Sequence, residues 1–301
     1  MYHNIKIAIL GGDMRQVALG RRLADRNFEV AVWGLGMGVD IGECVRVDSY
    51  ADAVCGARVI ILPLPVSRDG VTLNTPLCKG EPVRLSEIVE AADEEAVILG
   101  GKVSLDLSSI AAKKGLSTID YFECEQLQIK NAIPTAEGAI AIALDELPIT
   151  LFGAKTAVIG YGRVGKAVTK LLKAMGADVT VAARKSDALA YAECDGAKTL
   201  KIEREDNGQS SLQKLCGCSV IFNTVPVNII KESVLRSYNK DTLIIDLAGE
   251  DGGVDRVAAE KNNVRVIWAL SLPGKVAPFT AADIIFECVI DILTECGVIC
   301  G

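Results

Sequence analysis

The sequence predicts an α/β protein built from two tandem Rossmann-like domains, each a parallel sheet flanked by helices, joined by a linking helix. Three observations predict this. Apolar runs rich in Val and Ile alternate with amphipathic stretches almost from end to end, the pattern of repeated βαβ units whose strands are buried on both faces. Two separate strand–turn–helix openings occur, one at Gly11 and one at Gly160. With 301 residues, 50% of them hydrophobic, the chain is long enough to bury two cores.

The first series of strands falls at 5–10, 29–33, 59–62, 96–99 and 116–119, with a first helix over 13–27. The second falls at 156–159, 178–182, 220–223, 243–246 and 264–268. Between them, the small-residue apolar segment 136–147 predicts the linking helix, ending before Pro148. These elements divide the chain into an N-terminal Rossmann-like substrate domain, 1–147, and a nucleotide-binding domain, 148–278. The helical pattern at 281–293 lies in a terminal segment, 279–301, that is expected to pack back on the first domain. A cleft between the domains is the expected active site.

Composition excludes several classes of function. Lys and Arg total 32 against 39 Asp and Glu, a net charge of −7, which offers no general attraction to nucleic acid or anionic lipid. No stretch is long and apolar enough to span a bilayer, and the first residues lack the h-region of a signal peptide, so the chain is expected to stay in the cytoplasm. The 10 cysteines are scattered, and neither the Cys216/Cys218 pair nor the Cys296/Cys300 pair has a partner pair at zinc-like spacing. They are read as small buried hydrophobes and incidental thiols, with no metal site.

GYGRVG, Gly160 to Gly165, follows the predicted strand KTAVI and opens the helix 163–175. Gly160 allows the tight turn, Gly162 lets the backbone approach a pyrophosphate, and Gly165 permits close packing of helix on strand; Arg163 and Val164 stand in the helix start that faces the phosphates. The end of the next strand reads Ala183-Arg184-Lys185-Ser186, two cations and a hydroxyl where an NAD site carries an acid. This predicts NADP, with Asp187, one register step away, as the competing feature. Asn223-Thr224-Val225-Pro226 follows another strand, so Asn223, Thr224 and Pro226 are expected at the crevice rim, or else form an ordinary turn.

The first glycine loop, Gly11-Gly12-Asp13-Met14-Arg15-Gln16, lacks the GxGxxG spacing and reads as a degenerate loop in a domain that binds substrate. The single histidine, His3, is terminal, so the central histidine of hydroxyacid or alanine dehydrogenases has no counterpart. Polar residues gather instead in three junction segments, 106–109 with Ser108 and Ser109, 131–138 with Thr135 and Glu137, and 272–275 with Lys275. Glu137 is a candidate general base, a capping-box partner of Thr135, or a dipole partner in the first turn of the linking helix, with capping preferred. Arg15, Arg68, Lys102 and Lys275 are candidate carboxylate binders or solvated surface cations.

GGDxRQ after the first strand, LPLP at 62–65, IPTAEGAI at 133–140, GYGRVGKA and LPGKVAP together resemble the dipicolinate synthase A-subunit family over essentially the whole chain. The stretch 246–255 is similar to a family segment, although Gly249, Glu250 and Asp251 depart from it. The resemblance implies oxidation of a dihydrodipicolinate-type ring with a nicotinamide acceptor, in the mother cell of a spore former, alongside a flavoprotein-like B-subunit. With that reaction in view, the polar residues Thr135, Glu137 and Lys275 of the junction segments are the catalytic candidates, and Arg15, Lys102, Ser108 and Ser109 are candidates for binding a small dicarboxylate. A homo-oligomer and a non-catalytic, nucleotide-sensing or scaffold subunit remain the alternatives in assembly and in function.

Overall fold

The computed structural model describes residues 5–203, 210–249 and 252–299. The chain forms two compact units, one comprising the described residues up to Asn131 together with those from Ala277 onward, the other Ala132–Val276. His3, Cys300, Glu250 and Asp251 lie outside the described residues.

The first unit runs β1 (Lys6–Leu10), α1 (Met14–Ala24), β2 (Glu29–Trp33), β3 (Val45–Arg46), α2 (Tyr50–Val54), β4 (Val59–Ile61), α3 (Leu85–Ala91), β5 (Val97–Gly100), α4 (Leu105–Lys113) and β6 (Ser117–Asp120). Its strands form one parallel sheet of order β3-β2-β1-β4-β5-β6. Successive side chains of β1 point to opposite faces, Ile7 and Ile9 into one core, Ala8 and Leu10 into the other. Burial on both faces is why residues 7–10 of this strand are all apolar rather than alternating.

The helix α5 (Glu125–Glu146) contains the boundary between the units. The second unit continues with β7 (Lys155–Ile159), α6 (Arg163–Ala174), β8 (Asp178–Ala183), α7 (Ser186–Cys194), β9 (Lys198–Lys201), β10 (Val220–Asn223), α8 (Glu232–Leu235), β11 (Leu243–Asp246), α9 (Arg256–Lys261), β12 (Arg265–Trp268) and α10 (Leu272–Val276). Its sheet has the order β12-β11-β10-β7-β8-β9, again parallel. Val158 packs into one core and Ala157 and Ile159 into the other. The final helix, α11 (Pro278–Glu295), belongs to the first unit, where it lies along α1 and buries Ala281, Ile285, Cys288, Val289 and Leu293.

Both sheets have the doubly wound order in which the chain reverses direction beside the first strand, and ligands of such sheets bind beyond the strands' carboxyl ends at that switch point. The switch lies between β1 and β4 in the first unit and between β7 and β10 in the second.

Three expectations need correction. The linking helix starts at Glu125 rather than Ala136 and runs through Pro134. A proline inside a helix removes one backbone hydrogen bond; here packing outweighs it, with Leu127 in the first unit's core and Ala136, Ala139, Ile140 and Ala143 in the second's. The unit boundary accordingly lies within α5, not after Leu147, because Leu147 itself belongs to the second core. The edge strands β3 and β9 were not foreseen: one has two residues, and the other reads KTLK, with the lysines that keep a sheet edge from pairing further.

Candidate functional site

In the second unit the glycine turn sits at the switch point. Gly160 takes φ +94, and a Cβ there would fall on the Thr224 hydroxyl, so the end of β7 and the start of the loop after β10 pack without space for a side chain. Thr224 fixes that contact by donating from its backbone N–H and from Oγ1 to the Ile159 carbonyl, each at 2.9 Å. A Cβ at Gly165 would fall on the Gly160 carbonyl, so the first turn of α6 lies directly against the glycine turn. Gly162 differs: no protein atom lies within 4 Å of a Cβ built there. It is the N-cap of α6 and brings no side-chain acceptor to the helix start, which leaves the positive end of the helix dipole facing open space. Those features fit the diphosphate of a dinucleotide, and Arg163 stands exposed beside them with Val164 half-buried.

Tyr161 lies within the turn and is buried. Burial, and then the Asp195 carboxylate to which its hydroxyl donates, push the phenol well above its ordinary pKa.

Beyond β8, Arg184, Lys185, Ser186 and Asp187 are all exposed, with Lys185 as N-cap and Ser186 as first residue of α7. The register pairs Ala183 with Lys201 of β9, and Lys201 Nζ donates to Ser186 Oγ at 2.7 Å. This third cation escaped sequence reasoning because it lies on the neighbouring strand. The pairing of two unrelated segments is not visible in either one.

Asn223 is placed differently from its expected position at the rim. It is fully buried; Nδ2 donates to Asp246 Oδ1 at 2.8 Å, and Oδ1 accepts from the Val225 N–H at 3.2 Å. Asp246, at the end of β11, also accepts from the N–H groups of Ala248 at 3.1 Å and Gly253 at 2.7 Å. Asn223 therefore holds the loop carrying Thr224 and the exposed Pro226 in place and does not itself present a group to solvent. Asp246 was also missed, although a carboxylate closing the apolar run LIID was a readable signal of a structural acceptor.

The 131–138 and 272–275 segments are helical rather than loops. Thr135 and Glu137 lie in the middle of α5, where no N-cap exists, which overturns the capping-box and first-turn readings of Glu137. Glu137 is exposed, Thr135 is half-buried, and Lys275 is exposed on α10. α10 packs against α5 at Gly138, where a Cβ would lie 3.1 Å from Leu272 Cβ and Val276 Cγ2. The structure thus brings the helix segments carrying these three candidates together.

In the first unit, Gly11 and Gly12 both take positive φ, but the Gly12 N–H donates to the Asn74 carbonyl at 2.8 Å and the helix start carries its own acid. Asp13 caps α1 through the Arg15 N–H and binds the Arg15 guanidinium through both oxygens, at 2.9 and 2.8 Å. Arg15 is 5% exposed and also donates to the Leu64 carbonyl, so this cation is committed within the protein. The same loop that would cradle a phosphate is closed by the chain, the physical content of its degenerate spacing. Gln16 is buried, with long contacts from Nε2 to the Leu62 carbonyl and the Tyr121 hydroxyl.

The expected 106–109 loop is helical as well, within α4. Ser108 Oγ accepts from Thr118 Oγ1 at 3.0 Å, and Ser109 is exposed on the same helix. Lys102, just beyond β5, is exposed at the carboxyl edge of the sheet. Arg68 is exposed in the loop that follows β4. Among the described residues no group of three or more His, Cys, Asp or Glu is arranged to hold a metal ion, and no helix is long and apolar enough to cross a membrane.

Two family models match successive parts of the chain. The model for the N-terminal domain of the dipicolinate synthase A-subunit matches residues 6–122, and the C-terminal domain model of alanine dehydrogenase/PNT matches residues 128–294. The dipicolinate synthase A-subunit of Bacillus subtilis strain 168 is 31% identical over 297 residues, covering 98% of each chain. The crystal structure of that Bacillus subtilis protein superposes with a TM-score of 0.85, covering 99% of this chain and 98% of that one. Its counterpart from Bacillus halodurans gives a TM-score of 0.86 at 29% identity, covering 98% of this chain and 99% of that one. A transhydrogenase from Sinorhizobium meliloti, at 17% identity and a TM-score of 0.71 over 96% of this chain and 94% of that one, shares the fold. With two doubly wound sheets, a glycine turn shaped for a dinucleotide in the second, and identity spread over the full length of the relative, the chain belongs to the dipicolinate synthase A-subunit family.

Proposed function

We propose that this chain is an NADP-dependent dehydrogenase that oxidises a CH–CH bond of a dihydrodipicolinate-type ring to give the aromatic dicarboxylate. The observation that carries the reading is the open approach at Gly162, framed by the crowded Gly160 and Gly165 at the switch point of the second sheet. Its dinucleotide, when bound, supplies the hydride acceptor. Gly160, Gly162, Arg163, Val164 and Gly165 hold its diphosphate, Thr224 and Pro226 border its nicotinamide half, and Asn223 positions them. Arg184, Lys185 and Ser186, joined by Lys201, face the 2′-phosphate, which favours NADP over NAD.

Oxidation also releases one proton from the ring. Glu137 is the candidate acceptor, an exposed carboxylate on α5, with Thr135 half-buried on the same helix and Lys275 exposed on α10, which packs against α5 at Gly138. Aromatisation drives the step, so a tuned histidine is not required. In the first unit, Arg15 is committed to Asp13 and Ser108 to Thr118, which leaves Lys102 and Ser109 as the exposed groups for an anionic substrate. The family membership supports work in the mother-cell cytoplasm alongside a flavoprotein-like second subunit.

The test is an assay of the purified chain with NADP and freshly formed dihydrodipicolinate, following reduced cofactor by its ultraviolet absorbance, alone and with the second subunit. Reduction by the chain alone, increased by a co-eluting partner, is expected. Cofactor binding without reduction in either condition would instead favour a nucleotide-sensing scaffold.

A further inference from the structure

Four non-glycine residues among those described take a left-handed backbone conformation: Asn27, Lys102, Asn263 and Ser271. Asn27 and Asn263 follow α1 and α9, and asparagine ending a helix in this conformation is ordinary. Lys102 has no such explanation. It follows a strand, at φ +59, where glycine or asparagine would be accommodated with less strain.

The backbone around it has no freedom to relax. Gly101 donates to the Pro63 carbonyl at 3.1 Å and accepts from the Val66 N–H at 2.9 Å. The N–H groups of Lys102 and Val103 donate to the two oxygens of Asp120, at 3.1 and 2.8 Å, and Asp120 is itself tied to the Phe122 N–H at 2.8 Å. Side chains of Val66 and Leu64 stand 2.6 Å from where a Cβ would lie on Gly100 and Gly101. The turn is therefore clamped on both sides, and strain held this way is a feature of ligand-binding positions. A solvated lysine needs none of this, since any loop position would serve it.

The side chain that the clamp presents is an exposed cation at the carboxyl edge of a parallel sheet, beyond β5 and so one strand from the switch point between β1 and β4 at which such sheets bind ligands. Among the described residues its ammonium has no ion pair or hydrogen bond, in contrast to Arg15, whose charge Asp13 neutralises. We propose that Lys102 is a specificity-determining residue that holds one carboxylate of the substrate, with the left-handed turn fixing where that charge is offered. This rests on the dicarboxylate reading of the function.

The experiment is calorimetric titration of the NADP-loaded full chain with pyridine-2,6-dicarboxylate and with pyridine-2-carboxylate, for wild type, Lys102→Gly, Lys102→Asn and Lys102→Met, with thermal denaturation of each. Lys102→Gly and Lys102→Asn are expected to raise the melting temperature while weakening dicarboxylate binding at least tenfold, and all three to leave NADP affinity unchanged. Wild-type affinity in Lys102→Gly overturns the proposal and leaves the proposed function standing. A lowered melting temperature in both Gly and Asn variants overturns it too, because the turn would then carry no strain. If wild type itself does not bind the dicarboxylate, the substrate class fails, and this inference with it.

Discussion

Lys201 on the edge strand β9 donates from Nζ to Ser186 Oγ at 2.7 Å, which draws a cation from one segment to the helix start that follows Arg184 and Lys185. A 2′-phosphate seated there would meet cations from the segment after β8 and from β9. One charge-assisted hydrogen bond contributes about 1.5–3 kcal/mol when well formed, and 1.4 kcal/mol is about a factor of ten in affinity. Lys201→Met is therefore expected to weaken NADP about tenfold and Arg184→Ala more than tenfold, each with little effect on NAD. Calorimetric titration of both cofactors measures this. Equal affinities of wild type for the two, or equal losses in the variants, would sink the NADP assignment.

The glycines of the turn separate folding from binding. Gly160→Ala places a methyl group on the Thr224 hydroxyl at a backbone angle of φ +94, so the second unit is expected to melt earlier. Gly162→Val meets no protein atom, so the fold is expected to survive while NADP and NAD binding are both lost. Thermal denaturation beside cofactor titration distinguishes the two; a destabilised Gly162→Val with normal binding contradicts the assigned roles.

Asp246, the last residue of β11, holds the loops that follow β10 and β11. Asp246→Ala leaves the buried Asn223 amide and the Gly253 N–H without their acceptor. Each unsatisfied buried donor costs about 1–3 kcal/mol, and in a unit of this size about 2–4 °C of melting temperature accompanies each kcal/mol. A fall of several degrees by circular dichroism is expected. An unchanged melting curve would mean that the loop beyond β10 is held by something else.

The α5 candidates give the sharpest contrast between chemistry and stability. Because Thr135 and Glu137 lie mid-helix, Glu137→Gln should not affect folding, since no cap is lost. Thr135→Val, Glu137→Gln and Lys275→Met are each expected to lower kcat at least tenfold, with NADP affinity within about a factor of two. Steady-state kinetics on folded variants is the check; full turnover in all three would remove this segment from the chemistry.

Much of this was legible because its causes are local. A strand buried on both faces must be apolar through its buried stretch, so the runs 157–159 and 243–245 announce themselves as parts of sheet strands. A turn that needs positive φ and no Cβ needs glycine, so GYGRVG announces the shape of its turn. The start of α5 was not legible, because Pro134 carries a strong local signal against a helix that only packing against distant residues overrides.

The sequence by itself determined the fold class, the glycine turn and the line of cations after β8, since each follows from the conformational needs and charge of neighbouring residues. Tertiary structure alone decided what those groups are free to do. It commits Arg15 to Asp13, buries Asn223 against Asp246, brings Lys201 to Ser186 and clamps Lys102 in a left-handed turn. The reason is physical: a side chain's charge is set by its own chemistry, whereas its availability depends on partners that the fold delivers from elsewhere in the chain.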